Sequence, residues 1–265
     1  MIVDSHCHLD FPDLADNLPE VLAAMRENGV GGAVCIGVTL EDFPRVRVLA
    51  ETHAHILATV GVHPENTGVR EPTVDQLACL ATHPKVVGIG ETGLDYHWHK
   101  DAPEWQRERF RVHIRAARQI GKPLVVHNRE ATGDTLRLLE EENALEAGGV
   151  LHCFTETWEV AQRALDLGFY ISLSGIVTFK NARDIKEVAR RVPLDRLLVE
   201  TDSPYLAPAP FRGKPNQPAY VRHVVEEIAS LRGLTADAVA EATTANFFCL
   251  FPPARQHIGY AHEKK

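Results

Sequence analysis

Short apolar runs alternate with longer amphipathic ones along the whole chain. The apolar runs fall near 2–6, 31–37, 56–61, 86–91, 123–127, 149–153, 169–173 and 196–201. They are continuously apolar rather than alternating, so they read as parallel strands covered on both faces. The stretches 18–28, 40–52, 74–82, 103–120, 132–142, 158–167, 182–191 and 219–231 read as helices. In 104–119, for instance, Phe110, Ile114 and Ala117 fall near one face and Arg107, Arg111, Arg115 and Arg118 on the others. The breaks are Gly or Pro, as at Gly121-Lys122-Pro123, Gly148-Gly149 and Pro193, the usual stop signals. Eight strand–helix units without a shift in composition predict an α/β fold, one (β/α)8 TIM barrel occupying 1–265 as a single domain. A further C-terminal helix is expected over 235–251 and a long functional loop over the Pro- and Gly-rich 203–218. The last residues, Glu263 to Lys265, read as a frayed end.

Five of the apolar runs lead into a metal-ligating residue: His6 and His8, Glu91, His127, His152 and Asp202. The C-terminal ends of barrel strands are where such folds carry their chemistry. His6 and His8 are two apart, so both rings leave a strand on the same side. Glu91 ends an apolar run as a lone carboxylate, which is costly unless paired or bound to a cation, and its two oxygens suit bridging two ions. A helix cap or salt bridge is the plainer alternative. His127 and His152 alone would pass for hydrogen-bonded core histidines; their repeated placement argues for ligands. Asp202 suits a ligand, a general base for water, or both. Glu200, two residues earlier, suits a partner that orients a histidine ligand. His63, in Gly61-Val62-His63-Pro64, reads as substrate-facing. Arg129, Lys180, Arg212 and Lys214 fall in loops on the same side and suit phosphates, although a solvated charged loop explains any one of them equally well.

Composition narrows the classes. The net charge of −8 argues against broad adhesion to nucleic acid or membrane, so an anionic substrate must be held locally, by basic side chains and bound cations. The 5 cysteines lie far apart with no Cys-x-x-Cys pair, which fits reduced thiols in a cytoplasmic protein. The chain opens on a strand, so no signal peptide is expected. No apolar stretch approaches the ~18 residues of a membrane span, and no stable protein partner is implied.

With these residues in view, the chain resembles the TatD family of metal-dependent deoxyribonucleases, amidohydrolase-like metal hydrolases. The resemblance runs nearly end to end. It rests on Asp4-Ser5-His6-Cys7-His8-Leu9-Asp10, Gly61-Val62-His63-Pro64, Gly90-Glu91-Thr92-Gly93-Leu94-Asp95-Tyr96, Val126-His127, Leu151-His152-Cys153-Phe154 and Glu200-Thr201-Asp202-Ser203-Pro204-Tyr205-Leu206. It implies a (β/α)8 barrel with two divalent ions. One would be held by His6, His8, Glu91 and Asp202, the other by Glu91, His127 and His152, with Asp202 and Glu91 catalytic. It also implies hydrolysis of DNA, often single strands from the 3′ end. Two segments depart from the family pattern. His97-Trp98-His99 stands where tyrosines are commoner, and Asn128-Arg129-Glu130-Ala131 stands where Thr-Arg-Asp-Ala is more usual.

Two other functions compete. The same scaffold can cleave an ester or amide, such as an aminoacyl-tRNA ester or a cyclic amide, because function is set by the site and not the fold. Glu91 stands where carbamylated-lysine amidohydrolases place Lys, which disfavours their chemistry. A non-catalytic metal protein ranks last, since open His and carboxylate sites are more usual in catalysis. The ligand set suits zinc, manganese, cobalt or magnesium.

Overall fold

A computed structural model describes residues 1–101 and 103–259; the expected frayed end at 263–265 lies outside them. Eight parallel strands pair in sequence order: β1 (Ile2–Cys7), β2 (Val30–Cys35), β3 (Ile56–Val60), β4 (Val86–Asp95), β5 (Leu124–Arg129), β6 (Gly149–Leu151), β7 (Tyr170–Leu173) and β8 (Leu197–Val199). A bridge between Cys7 and Ser203 draws β1 and the end of β8 together, so the sheet forms the nearly closed barrel the alternation predicts. Around it run α1 (Pro12–Ala15), α2 (Leu18–Glu27), α3 (Phe43–Thr52), α4 (Val74–Leu80), α5 (Glu104–Ile120), α6 (Thr132–Glu141), α7 (Trp158–Asp166), α8 (Arg183–Arg191), α9 (Val221–Arg232) and α10 (Ala236–Leu250).

Local chemistry sets most boundaries. Thr73 and Gln76 cap α4 reciprocally, satisfying two otherwise free N–H groups. Gly121 ends α5 in the left-handed region, at φ 62°. Helix α3 begins three residues later than expected, because Thr39 accepts from the Asp42 N–H and closes a turn first, and Pro44 then suits the opening turn. The four-residue α1 was not expected; it is too short to show a period. Strand β4 runs four residues past the expected end at 91, pairing Gly93 with His127 and Asp95 with Arg129. Gly93 permits this. Its φ is +126°, and a Cβ there would lie 2.0 Å from the His127 carbonyl oxygen.

The core has two layers. The larger lies between strands and helices, and includes Ile2, Cys7, Ile89, Phe110 and Leu124. The smaller fills the barrel: Val3, Val34, Val87, Val125, Val150 and Leu198 meet Phe247, Phe251 and Ile258 from α10 and the chain beyond it. The C-terminal helix thus plugs the barrel interior, where truncating a buried Phe costs about 3–5 kcal/mol. Among the described residues, no helix is long and apolar enough to cross a membrane.

Candidate metal centre

Strand parity alone would misplace the first two candidate ligands. Val3 faces the barrel interior, yet Cys7, of the same parity, packs in the outer layer. The register of β1 against β2 shifts between Asp4 and Cys7. Such an irregularity re-aims side chains, and it turns His6 and His8 inward. A second shift, between Ile89 and Thr92 of β4, precedes the inward Glu91. Glu91 therefore lies mid-strand rather than at a strand end.

Every expected ligand converges on Glu91. Its Oε2 is 3.3 Å from His6 Nε2 and 4.0 Å from His8 Nε2. Its Oε1 is 2.8 Å from His152 Nε2, 3.2 Å from His127 Nδ1 and 3.2 Å from His63 Nε2. Asp202 Oδ1 stands 3.5 Å from both His6 Nε2 and His8 Nε2. Three ligand triads have atoms close enough for one ion: His6, His8 and Glu91; His6, His152 and Asp202; His63, Glu91 and His127. His152 thus groups with His6 and Asp202 as well as with Glu91.

Burial opposes charge here, and the cluster overrides it. Burial alone would push Glu91 up, but His152, His63 and His6 hold its carboxyl well below the ordinary value. Burial would likewise lower His8 and His152, yet Asp202 raises the first and Glu91 with Glu200 raises the second. The carboxylates therefore stay ionised and demand positive charge. Four buried ring nitrogens, His6 Nδ1 and Nε2, His8 Nδ1 and His152 Nε2, make no hydrogen bond. Two of them, His6 Nε2 and His152 Nε2, lie within 3.3 Å of carboxylate oxygens without hydrogen-bond geometry. A proton on these rings and a shared cation answer the same negative charge, and nitrogens this close to carboxylate oxygens without a hydrogen bond suit the cation, so the residues fit divalent ions.

The far side of two rings is tied to carboxylates. His127 Nε2 meets Asp95 Oδ2 at 3.0 Å, and His152 Nδ1 meets Glu200 Oε1 at 3.3 Å. Such partners fix a ligand's tautomer. Glu200 was expected to do this; Asp95 was not singled out, although Gly93-Leu94-Asp95 ends the motif around Glu91. Asp4 was missed as well. It accepts from the N–H of His6 and the N–H and hydroxyl of Thr201, and burial pushes its carboxyl up to about 8. A buried Asp in the apolar run Ile2-Val3-Asp4 is the signal that could have found it. A third omission lies on α5. Gln106 Nε2 donates to the carbonyls of Pro64 and Asp95, Arg109 donates to those of His63 and Asn66, and His113 accepts the Val62 N–H. One buried polar stripe therefore holds the loop that carries His63.

His63 itself is sorted by its other nitrogen. Nδ1 accepts the Glu65 N–H at 3.1 Å, and burial lowers the ring's pKa. The neutral ring keeps its proton on Nε2 and presents a donor, not a lone pair, to Glu91. Asp202 and Cys153 both adopt positive φ, 57° and 40°, a strained state for side-chain-bearing residues that clusters at functional sites.

The cluster floors a cavity of about 570 Å³ whose wall includes Phe11, Asn66, Arg129 and Tyr205. Of the expected substrate contacts, His63 and Arg129 line it. Arg212 and Lys214 are exposed and absent from its lining, with Arg212 stacked 3.9 Å above the Phe179 ring.

Comparison with known proteins gives the family of the chain. The profile of the family described as TatD related DNase matches residues 3–252. The chain is 48% identical over 254 residues to the uncharacterized metal-dependent hydrolase YcfH of Escherichia coli (strain K12), covering 94% of this chain and 95% of that one. It is 35% identical over 238 residues to the 3′-5′ ssDNA/RNA exonuclease TatD of Citrobacter rodentium, covering 88% and 90%. The crystal structure of YJJV, a TatD homolog from Escherichia coli K12, superposes with a TM-score of 0.89 at 30% identity, over 95% of this chain and 98% of that one. A barrel floored by six convergent candidate ligands accompanies a family match along almost the full length, and that match places this chain in the TatD family of metal-dependent hydrolases.

Proposed function

We propose that the protein is a deoxyribonuclease that hydrolyses phosphodiester bonds, trimming single-stranded DNA from its 3′ end with two divalent ions. The observation that carries this reading is the set of buried, unpartnered imidazole nitrogens around two ionised carboxylates. His6, His8, Glu91 and Asp202 would hold one ion, and Glu91, His127 and His152 the other; zinc, manganese, cobalt and magnesium all suit these donors. When bound, such ions neutralise phosphate charge and make water a stronger acid.

The chain's own residues then divide the work. Asp202 Oδ1 takes the proton of the attacking water. Glu91 balances the charge of both halves of the cluster. Glu200 keeps the His152 ring in place from behind. His63 meets the substrate as part of the cavity lining, with its Nε2–H held on Glu91. Arg129 pairs with a phosphate at the cavity wall, and Arg212 and Lys214 with phosphates farther along the 203–218 loop. The five cysteines are free, in keeping with a cytoplasmic setting. Nucleic acid is favoured over an ester or amide by the cationic Arg129 on the wall and by the exonuclease relative from Citrobacter rodentium.

The test is a metal-by-substrate screen with 5′-labelled single-stranded DNA, mischarged tRNA and a small phosphodiester. Metal-dependent shortening of the DNA from its 3′ end is expected. Release of the amino acid from tRNA with intact DNA would overturn the reading.

A further inference from the structure

We propose that Trp98 and Tyr205 are paired stacking platforms on opposite rims of the cavity, each holding an unpaired base on one side of the phosphate to be cut. The inference rests on the nuclease reading above and specifies how that site grips its substrate. Among the described residues, these are the aromatic rings in the exposed large hydrophobic set, Trp98 at 60% and Tyr205 at 54%. Tyr205 lines the cavity, and Trp98 lies beside Arg129, which lines it too.

The backbone beneath each ring is tied to the site: to Asp95, beside the cluster, or to Asp202 within it. The Trp98 N–H donates to Asp95 Oδ1 at 3.3 Å, and Asp95 also holds His127. The Tyr205 N–H donates to the Asp202 carbonyl at 3.0 Å. Each ring also has neighbours that keep it upright. The guanidinium of cavity-lining Arg129 lies 5.8 Å from the Trp98 centroid, and the His97 ring meets Trp98 edge-on at 4.8 Å. Tyr205 meets Phe11 and His8 edge-on, each at 6.3 Å.

Topology sets the two on opposite sides. The strands follow one another in order around the ring. Trp98 follows β4, whose end pairs with β5, and Tyr205 follows β8, whose end is bridged to β1. In an eight-membered ring these two seams face each other, with Glu91 and the imidazoles between. A strand whose phosphate sits over the cluster therefore has one aromatic face available on each side. Aromatic side chains stack on any base and need no pairing edge, whereas bases within a duplex are already stacked and inaccessible. The Arg129 cation, which lines the cavity beside Trp98, fits the adjoining phosphate.

The experiment compares wild type, Trp98→Ala, Trp98→Phe, Tyr205→Ala and Tyr205→Phe. Substrates are a single-stranded DNA, the same sequence as RNA, and a DNA strand of equal length that is abasic around the cleavage point. Each alanine variant should raise KM on the base-containing strands by about five- to a hundredfold, with a clearly smaller rise on the abasic strand, and phenylalanine should restore most of the loss. A selective loss on DNA, on RNA or on both supports the platforms and identifies the strand they grip. An equal rise on the abasic strand would mean that the rings only brace Asp95 and Asp202. No rise on any strand would mean that the bases bind elsewhere. Wild type that cuts no strand would overturn the nuclease reading, and the platforms with it; wild type that cuts with unaltered variants would overturn the platforms alone.

Discussion

His6 and Asp202 are joined twice. The Asp202 N–H donates to the His6 carbonyl at 2.9 Å, and the His6 Nε2 lies 3.5 Å from Asp202 Oδ1. The first contact belongs to the seam that brings the two ends of the barrel sheet together, and the second to the site. The contact that closes the barrel therefore also sets Asp202 beside His6, although the two residues stand almost two hundred positions apart in sequence.

Asp202→Asn tests the chemical half of that pair. Asn tolerates the positive φ of this position, so the seam hydrogen bond and the fold should persist. The amide cannot take a proton, and turnover at saturating metal should fall about 10²- to 10⁴-fold. Thermal unfolding run beside the kinetics separates the two effects. Wild-type turnover would remove Asp202 from the chemistry.

Metal removal should cost stability as well as activity. Ions that bind the folded cluster and not the unfolded chain stabilise it by about 2.7 kcal/mol at a hundredfold excess over Kd. For a chain of this size that is roughly 5 °C or more in Tm. Chelation should lower Tm and abolish turnover together, and re-addition should restore both. His6→Ala with His152→Ala should show no metal-dependent shift; a full shift in that double variant would place the ions elsewhere.

Gly93→Ala should disturb the site through the backbone. An added Cβ would lie 2.0 Å from the His127 carbonyl oxygen at a φ of +126°, so β4 and β5 must part just where Glu91 and His127 leave them. We expect a loss of roughly 2 kcal/mol or more, read as a lower urea midpoint, together with weakened metal affinity. Unchanged affinity would show that the β4–β5 contact does not set the ligand geometry.

His113 predicts an acid limb in the stability profile. Burial holds its imidazole down at about 4, against an ordinary 6.5. The ring is neutral in the fold, with Nδ1 2.8 Å from the Arg109 carbonyl and Nε2 accepting the Val62 N–H at 2.9 Å. Between those two values the unfolded chain binds the proton and the folded chain does not, so stability falls as pH drops from 6.5 towards 4. The full span is worth about 3 kcal/mol. Urea midpoints from pH 4.5 to 7 should trace this slope, and His113→Gln should flatten it. The same slope in the variant would assign the effect to other groups.

The barrel was legible because its evidence is local. Continuous apolar runs such as 123–127 and Gly or Pro stops such as Gly121 report buried strands and helix ends without reference to anything distant. The six proposed ligands were legible for a related reason: an ionisable residue after an apolar run is costly unless something compensates it. The supports were not. Asp4, Asp95 and the α5 stripe of Gln106, Arg109 and His113 look like ordinary polar residues until the residues they hold, Thr201, His127 and the loop at 62–66, arrive from far along the chain.

The sequence by itself determined the order of strands and helices and the identity of the groups that ionise, because periodicity and side-chain chemistry are properties of short segments. Only the tertiary structure decided which way those groups point. A register shift in β1 turned His6 and His8 inward, the longer β4 moved Glu91 to mid-strand, and closure of the sheet brought Asp202 against His6. These are consequences of how strands pair across the barrel, and a strand's register is set by its neighbours, not by its own residues.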